Sequence, residues 1–385
     1  MGNFLKEKYK DIKASSLLKS IDAKDDYDDI INFSIGDPNI DVEESLLMNA
    51  VNDVIDNKLT HYADARGYID LRKLISDVSF GEYGVRFETN EILVTSGATI
   101  GMFIVLHSIL DIGDEVIILE PYYPTYTKQI QMCGGVVVSV VLENFYLDID
   151  KISKAITNKT KAIIINSPNN PTGCIYDFKS LNELKNLVVN TNILVISDEI
   201  YTFYHYSKKI ESFYNILKDN CIIIRSCSKD YTMPGMRIGY ILGDKNLIHC
   251  FDIVNESIHY CASAYAQRLA YQVLLNKDRI HKANNDEYIK RMNYAYKRIN
   301  AYKNLRVNYP DGGIYMFVDI TNTKYSSLEF QSLLLKETHV LVVPGSAFGK
   351  NFDRYVRFAI TQTIENMEIA FKRIDKAIKE GRLNV

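Results

Sequence analysis

Short apolar runs alternate with amphipathic stretches between about residues 90 and 243. Seven of these runs have the length and the β-branched content of buried strands, at 92–95, 115–119, 136–140, 162–166, 193–197, 221–225 and 240–242. Helical spacing appears between them, at 98–110, 124–132 and 178–190. Because several strand-like runs are almost wholly apolar, the pattern indicates a sheet covered on both faces. It predicts an α/β fold with a mostly parallel, doubly wound sheet flanked by helices.

The rest of the chain has a different pattern, which predicts a second, smaller α+β domain. Residues 264–304 have the spacing of a long helix. Strand-like runs at 313–319, 340–343 and 356–359 are followed by a helical stretch at 363–380. We expect a large domain over residues 44–276. Residues 1–43, which begin with a helical N-terminal arm, would join residues 277–385 in the small domain.

Composition narrows the class of protein. The 385 residues are 47% hydrophobic and 24% charged, and the net charge of -3 gives no electrostatic reason to expect nucleic acid or an anionic membrane as partner. No apolar run approaches the ~18 residues of a membrane-spanning helix. The 6 cysteines form no CxxC pair and no metal-ligand spacing, and the charged N-terminus lacks the apolar core of a signal peptide. We therefore expect a cytoplasmic protein with no metal site.

Polar and turn-forming residues collect where five of the predicted strands end. These groups are Ser96-Gly97-Ala98-Thr99, Glu120-Pro121-Tyr122-Tyr123, Ser167-Pro168-Asn169-Asn170-Pro171-Thr172-Gly173, Asp198-Glu199-Ile200-Tyr201 and Ser226-Cys227-Ser228-Lys229. Ligand sites in open α/β sheets lie at the carboxyl ends of the strands. One site drawn from five strand ends is therefore a better hypothesis than five unrelated turns.

Lys229 is the candidate nucleophile. It follows an apolar strand, and a lysine held near a sheet beside other cations has a lowered pKa, so that its neutral amine can attack a carbonyl. Taken alone, a lysine in this position would be interpreted as a surface lysine after a strand. Other residues of the expected site suggest a phosphate cup beside Lys229, because hydroxyls, an arginine and the free N–H groups of a helix N-terminus bind phosphate. The candidate cup consists of Gly97, Ala98, Thr99, Ser226, Ser228 and Arg237.

Four other side chains could contact a planar, cationic ring. Asp198 ends a strand that would bury its carboxylate, so it needs a cationic partner such as a protonated pyridine nitrogen; the alternative is a helix N-cap. Tyr201 could donate to a ring oxygen or pack in the core. Asn170 could simply form the turn before Pro171, and Tyr123 could stack on the ring or be structural.

Arg357 lies inside the apolar strand-like run Tyr355-Val356-Arg357-Phe358-Ala359. An arginine in such a run must meet an anion, and its planar guanidinium suits a carboxylate bidentately. The alternative is an internal ion pair with Asp or Glu.

In this order, these residues resemble the class I/II aminotransferases, which are pyridoxal-phosphate enzymes of fold type I (the aspartate aminotransferase-like superfamily). The resemblance extends from Phe33-Ser34-Ile35-Gly36-Asp37-Pro38 to Tyr355-Val356-Arg357. The most specific motifs are Asn170-Pro171-Thr172-Gly173, Asp198-Glu199-Ile200-Tyr201, and Ser226-x-Ser228-Lys229 with Pro234-Gly235-Met236-Arg237-Ile238-Gly239-Tyr240.

The resemblance implies a role for each candidate. Lys229 would carry pyridoxal 5'-phosphate as an aldimine and later move the Cα proton. Asp198 would pair with the pyridine nitrogen, Tyr201 and Asn170 would contact the ring oxygen, and Tyr123 would stack on the ring. Gly97, Ala98, Thr99, Ser226, Ser228 and Arg237 would hold the phosphate. Arg357, with Gly36 and Asn170, would bind the substrate α-carboxylate. Tyr62 resembles a tyrosine that reaches the partner subunit's phosphate, which implies a homodimer with shared sites.

The chain also departs from the family pattern. Members that act on dicarboxylates often place an arginine in the segment that matches 256–264, where this chain has none, and Arg268 lies deep in the following helix. His259 and Tyr260 in that segment suggest a pocket for a neutral, aromatic or polar side chain, although both could be structural. Glu43-Glu44 replaces a proline that is common after the glycine loop.

The expected reaction is the transfer of an α-amino group from an L-amino acid to a 2-oxo acid. The same cofactor residues would also serve a β C–S lyase, a decarboxylase or an amino-acid-modifying synthase or cyclase, because the outcome depends on which Cα bond stands perpendicular to the ring. The ligand-sensing module of a transcription regulator is a more distant alternative, since no helix-turn-helix segment precedes the fold.

Overall fold

The computed structural model describes residues 27–385, so the predicted N-terminal arm lies largely outside the described residues. The strands are β1 Ile31–Asn32, β2 Ile92–Thr95, β3 Glu115–Glu120, β4 Val136–Val141, β5 Thr160–Asn166, β6 Leu194–Asp198, β7 Cys221–Ser226, β8 Gly239–Leu242, β9 Tyr315–Asp319, β10 Val340–Leu341, β11 Val343–Pro344 and β12 Tyr355–Ala359. All seven strands predicted between residues 90 and 243 are present, with shifts of one or two residues at some ends.

The helices connect these strands or cover them. They are α1 Glu44–Asp56, α2 Ile69–Tyr83, α3 Ala98–Ile109, α4 Thr125–Met132, α5 Ile149–Ala155, α6 Phe178–Val188, α7 Cys227–Asp230, α8 Lys245–His259, α9 Ala264–Leu275, α10 Lys277–Asn300, α11 Ser327–Thr338 and α12 Ile364–Lys379. Within residues 27–385, none of the helices combines the length and the hydropathy that a membrane crossing requires.

A seven-stranded sheet in the order β2-β8-β7-β6-β5-β3-β4 forms the centre of the large lobe. Its strands run parallel except β8, which is antiparallel to both of its neighbours. Alternate residues of β5 face opposite sides: Ile163 and Ile165 pack in one core cluster, Ala162 and Ile164 in the other. Apolar residues on both faces explain the continuous runs in the sequence. The predicted fold class is confirmed.

The small lobe has a separate core around a three-stranded antiparallel sheet in the order β11-β12-β9. Strand β1 pairs in parallel with β10, so the segment that follows residue 30 joins this lobe. Helix α1 packs against α9 of the large lobe. This packing supports the predicted domain boundaries near residues 44 and 276, which stay a proposal.

Two element predictions were wrong in detail. The stretch 264–304 is two helices, because Asn276 leaves helical geometry (φ -106, ψ 15) and its side chain donates to the Gln272 carbonyl at 2.9 Å. The run 340–343 is two short strands, because β10 pairs with β1 whereas β11 pairs with β12. The chain therefore changes sheets at Val342.

Candidate active site

A cavity of about 490 Å³ lies at the carboxyl ends of the strands, where the two lobes meet. Most of the site residues expected from the sequence line it: Gly36, Ala98, Thr99, Tyr123, Asn170, Asp198, Tyr201, Ser226, Ser228, Lys229, Arg237 and Arg357. Parallel neighbours β5, β6 and β7 end at the same sheet edge, which is why residues more than 60 positions apart meet there.

Lys229 lies in the one-turn helix α7, directly after β7, and its ammonium donates a hydrogen bond to the Gly36 carbonyl. Burial lowers the pKa of Lys229 to about 8; the like charges of Arg357 and Arg237 act in the same direction, against the attraction of Asp37. At neutral pH a useful fraction of this amine is uncharged, as a nucleophile for a carbonyl must be.

The phosphate cup expected from the sequence is assembled at the start of α3. Gly97 takes a left-handed conformation (φ 92) before the helix, and a Cβ there would lie 2.6 Å from Nη2 of Arg237. The Ser226 hydroxyl donates to that of Ser228 at 2.9 Å. A helix N-terminus, a guanidinium and two hydroxyls thus face the same space, and this arrangement suits a phosphate dianion.

Asp198 ends β6 with a buried carboxylate. Its Oδ2 accepts a hydrogen bond from the Tyr126 hydroxyl, and its Oδ1 has no partner among residues 27–385. Burial raises the pKa of Asp198 to about 6, although the Tyr126 hydrogen bond lowers it. A buried carboxylate with one unused oxygen requires a cation, and a protonated ring nitrogen would supply it. Sequence reasoning missed Tyr126.

The hydroxyl of Tyr201 is buried at the edge of the cavity. It lies 2.9 Å from the Tyr315 hydroxyl and 3.5 Å from Nδ2 of Asn170. The Tyr123 ring lines the same cavity and meets the Tyr126 ring edge-on, with centroids 5.6 Å apart. Tyr315 was not predicted, because nothing in the sequence distinguishes it from the other tyrosines.

Arg357 projects from β12 and is only 2% exposed. Its Nη1 donates to Oδ1 of Asn170 at 2.9 Å and its Nη2 to the Ser34 carbonyl at 2.5 Å, while its Nε has no partner within the described chain. The guanidinium lies 4.4 Å from the centroid of the Tyr315 ring. No Asp or Glu of residues 27–385 forms an ion pair with it, so the alternative of an internal ion pair finds no support in this part of the chain.

Two groups of residues discussed above lie away from this cavity. Tyr62 is 84% exposed, and its ring contacts that of Tyr260 with centroids 4.7 Å apart. Arg268 forms ion pairs with Asp53 at 2.9 Å and Asp70 at 2.7 Å. In the part of the chain from residue 27 onward, no group of three His, Cys, Asp or Glu side chains could hold a metal ion.

Pyridoxal phosphate, the cofactor implied by the resemblance, fits these residues. The unused Oδ1 of Asp198 suits its ring nitrogen, and the close approach of Gly97 and Arg237 suits its phosphate. Lys229 lies among the residues that line the same cavity.

Comparison with known proteins agrees with this geometry. The family model for "Aminotransferase class I and II" matches residues 28–374. The chain is 34% identical over 350 residues to a probable aspartate aminotransferase of Methanocaldococcus jannaschii (89% of this chain, 92% of that protein). It is 31% identical to aromatic-amino-acid aminotransferase 2 of Thermococcus litoralis (98% and 99%). The solved aspartate aminotransferase of Rhizobium meliloti superposes with a TM-score of 0.92 at 28% identity (99% and 100%).

Proposed function

The chain belongs to the class I and II aminotransferases, which use pyridoxal 5'-phosphate, and we propose that it transfers the α-amino group of an L-amino acid with a neutral, aromatic or polar side chain to a 2-oxo acid. One observation carries the proposal more than any other. A buried arginine with no acidic partner among residues 27–385 (Arg357) lines the same cavity as an amine of lowered pKa (Lys229) and a carboxylate with one unbonded oxygen (Asp198).

Each of these residues has a definite task. Bound pyridoxal phosphate supplies a conjugated ring that takes up the electron pair left when the Cα proton is removed. Asp198 would keep the ring nitrogen protonated, and the Tyr201 hydroxyl would donate to the ring oxygen. Arg357 binds the substrate α-carboxylate, and Asn170 fixes the guanidinium through its Oδ1. Lys229 would accept the Cα proton and return it elsewhere on the conjugated system, because its lowered pKa leaves a fraction of the amine uncharged near neutral pH.

The proposed side-chain preference rests on the cations of the cavity. Among the described residues that line it, only Lys229, Arg237 and Arg357 are basic, and each already has a task. Arg268 is engaged by Asp53 and Asp70. A second carboxylate on the substrate would therefore find no further cation among residues 27–385 of this chain, which disfavours aspartate and glutamate. The relatives include an enzyme named for aspartate and an enzyme named for aromatic amino acids, so the proposed preference is argued from the cavity and not from these names.

A half-reaction screen tests the activity. The protein loaded with pyridoxal phosphate is mixed with single amino acids and its visible absorbance is followed. We expect conversion of the cofactor to its amino form, together with one equivalent of the matching 2-oxo acid, and faster conversion with neutral or aromatic donors than with aspartate. Release of pyruvate with ammonia or a thiol, and no amino form, would instead indicate the lyase alternative.

We further propose a homodimer in which Tyr62 reaches the phosphate of the partner's cofactor. An aromatic side chain that is 84% exposed in a single chain supports a role at an interface. The test mixes Lys229→Ala protomers with Tyr62→Ala protomers. In a dimer with shared sites, half of the molecules become hybrids with one intact site of two, so mixing should restore about a quarter of the wild-type activity. A monomer would gain nothing from mixing.

A cytoplasmic location is also part of the proposal. Cys174, Cys221 and Cys227 are buried free thiols. Free thiols of this kind are typical of a reducing compartment. Fractionation of the source cells with an antibody would test the location.

A further inference from the structure

Tyr315 contacts three parts of the active site at once. It is the first residue of β9 and is buried. Its hydroxyl lies 2.9 Å from that of Tyr201, and its ring lies 4.4 Å from the guanidinium carbon of Arg357. A Cβ added to Gly36 would come within 2.0 Å of the Tyr315 hydroxyl. The backbone at Gly36, whose carbonyl accepts a hydrogen bond from Lys229, therefore packs directly on Tyr315.

Each of the two tyrosine hydroxyls has one proton, and the hydrogen bond between them uses only one of these two protons. Burial raises the pKa of both Tyr201 and Tyr315, so both remain protonated at neutral pH. If Tyr315 donates to Tyr201, the proton of Tyr201 is free for an acceptor in the cavity. A donor that itself accepts a hydrogen bond is polarised and donates more strongly.

We propose that Tyr315 is a positioning residue with two separable parts: its hydroxyl donates to Tyr201 and thereby directs the Tyr201 proton toward the cofactor ring oxygen, and its ring face holds the guanidinium of Arg357 for the substrate carboxylate. This inference rests on the proposed function, because it assumes those tasks for Tyr201 and Arg357. It links recognition of the carboxylate to the electronic state of the cofactor through one side chain.

The hydroxyl is tested by a double-mutant cycle of Tyr315→Phe and Tyr201→Phe. A hydrogen bond donated to the ring oxygen stabilises its anionic form and lowers the pH at which the bound cofactor loses its proton. Tyr315→Phe should therefore raise the pH midpoint of the visible absorbance by about half a pH unit, and Tyr201→Phe should raise it further. In the Tyr201→Phe background, loss of the Tyr315 hydroxyl should have no effect on the midpoint.

The ring is tested by Tyr315→Leu. Loss of the aromatic face under a desolvated guanidinium should raise KM for the amino donor about 10-fold beyond the KM of Tyr315→Phe, because the variant loses the cation–π contact. Binding of pyridoxal phosphate to the cofactor-free variants, followed by protein fluorescence, shows whether the cavity is still formed. Tyr302→Phe is the matched control, because it removes a buried small-lobe hydroxyl that bonds Asp375 at 2.9 Å; neither the midpoint nor KM should change.

The outcomes separate this inference from the proposed function. Failure of the wild-type half-reaction would contradict the aminotransferase assignment, whereas the absorbance titration needs only bound cofactor. An active wild type in which Tyr315→Phe leaves the midpoint unchanged would overturn the inference alone. It would also be overturned if Tyr315→Phe raised KM without moving the midpoint, because the hydroxyl would then contact the substrate. Additive midpoint shifts in the double variant would exclude action through Tyr201.

Discussion

The Tyr126 hydroxyl donates to Oδ2 of Asp198 and leaves Oδ1 of the same carboxylate without a partner among residues 27–385. The hydrogen bond fixes the orientation of the carboxylate, and Asp198 lines the same cavity as Lys229. Because the hydrogen bond favours the ionised form, Tyr126 counteracts part of the burial that raises the pKa of Asp198.

The first prediction concerns the pH dependence of the cofactor-free protein. The folded-state pKa of Asp198 is about 6, above its ordinary value of 3.8, so the folded chain binds this proton more tightly than the unfolded chain. The contribution of this group to stability is thus fully present below about pH 4 and is lost as the pH rises through about 6. Asp198→Asn should remove this loss and raise the free energy of unfolding at pH 7 by roughly 1–3 kcal/mol.

Chemical denaturation between pH 4 and pH 8 would measure this effect. Tyr126→Phe is the companion variant, and it should move the loss of stability to higher pH. Parallel pH profiles for the wild type and Asp198→Asn would show that Asp198 does not titrate in this range.

The second prediction is that Lys229→Ala abolishes covalent attachment of the cofactor. Treatment with borohydride followed by mass spectrometry should find the cofactor on Lys229 in the wild type and on no residue of the variant. Because the phosphate contacts remain, the variant should still bind pyridoxal phosphate reversibly. Lys245→Ala, on the exposed start of α8, is the control and should be labelled like the wild type. Undiminished labelling of Lys229→Ala would locate the attachment elsewhere.

The third prediction is that Arg357→Ala mainly impairs binding of the amino acid. The loss of a desolvated, charge-assisted bidentate pair should cost about 2–5 kcal/mol in kcat/KM, while the variant still binds the cofactor. Arg354→Ala is the matched control for Arg357→Ala. Arg354 lies three positions earlier and is exposed, and its Nη1 donates to the Tyr325 carbonyl at 2.7 Å. Its kinetics should equal those of the wild type. If turnover of Arg357→Ala is unchanged, the carboxylate binds elsewhere.

The fourth prediction concerns the phosphate cup. Gly97→Ala places a methyl group 2.6 Å from Arg237 at a residue with φ 92, so both the backbone and the guanidinium must shift. We expect the affinity for pyridoxal phosphate to fall at least about 10-fold, since one displaced charged contact is worth about 1.5–3 kcal/mol. Gly81→Ala is the control, because a Cβ there meets nothing within 4 Å in α2. It should stabilise the protein slightly and leave cofactor affinity unchanged.

Much of the fold could be predicted because the large-lobe strands are buried on both faces. The run that contains Ile163, Ile164 and Ile165 is short and β-branched, which favours a strand covered on both faces, and its residues do pack into the two core clusters. The helix break at Asn276 was not visible, since the residues on both sides of it have helical spacing. Strand pairing such as that of β10 with β1 joins residues about 300 positions apart, and no local pattern contains this information.

Residues with distinctive chemistry could be assigned from the sequence, whereas residues that act through geometry could not. A lysine, an aspartate or an arginine in an apolar context stands out because its burial is costly. Tyr126 and Tyr315 belong to a chain with 27 tyrosines, and their importance comes only from contacts across 72 and 114 positions. For Tyr126 the available signal was Asp198, because a carboxylate that is buried at a strand end needs hydrogen-bond donors as well as a cation.

Among residues 27–385, neither Asp198 nor Arg357 has a side chain of opposite charge as its partner, and this has a consequence for protein engineering. Both groups are costly to bury in the free chain, so replacing either one by a neutral residue of similar size is an easy route to greater heat resistance. Laboratory evolution that selects only for survival of heating would therefore remove them first. Such a selection has to include a growth requirement for the enzyme's product, or it will deliver robust proteins without catalysis.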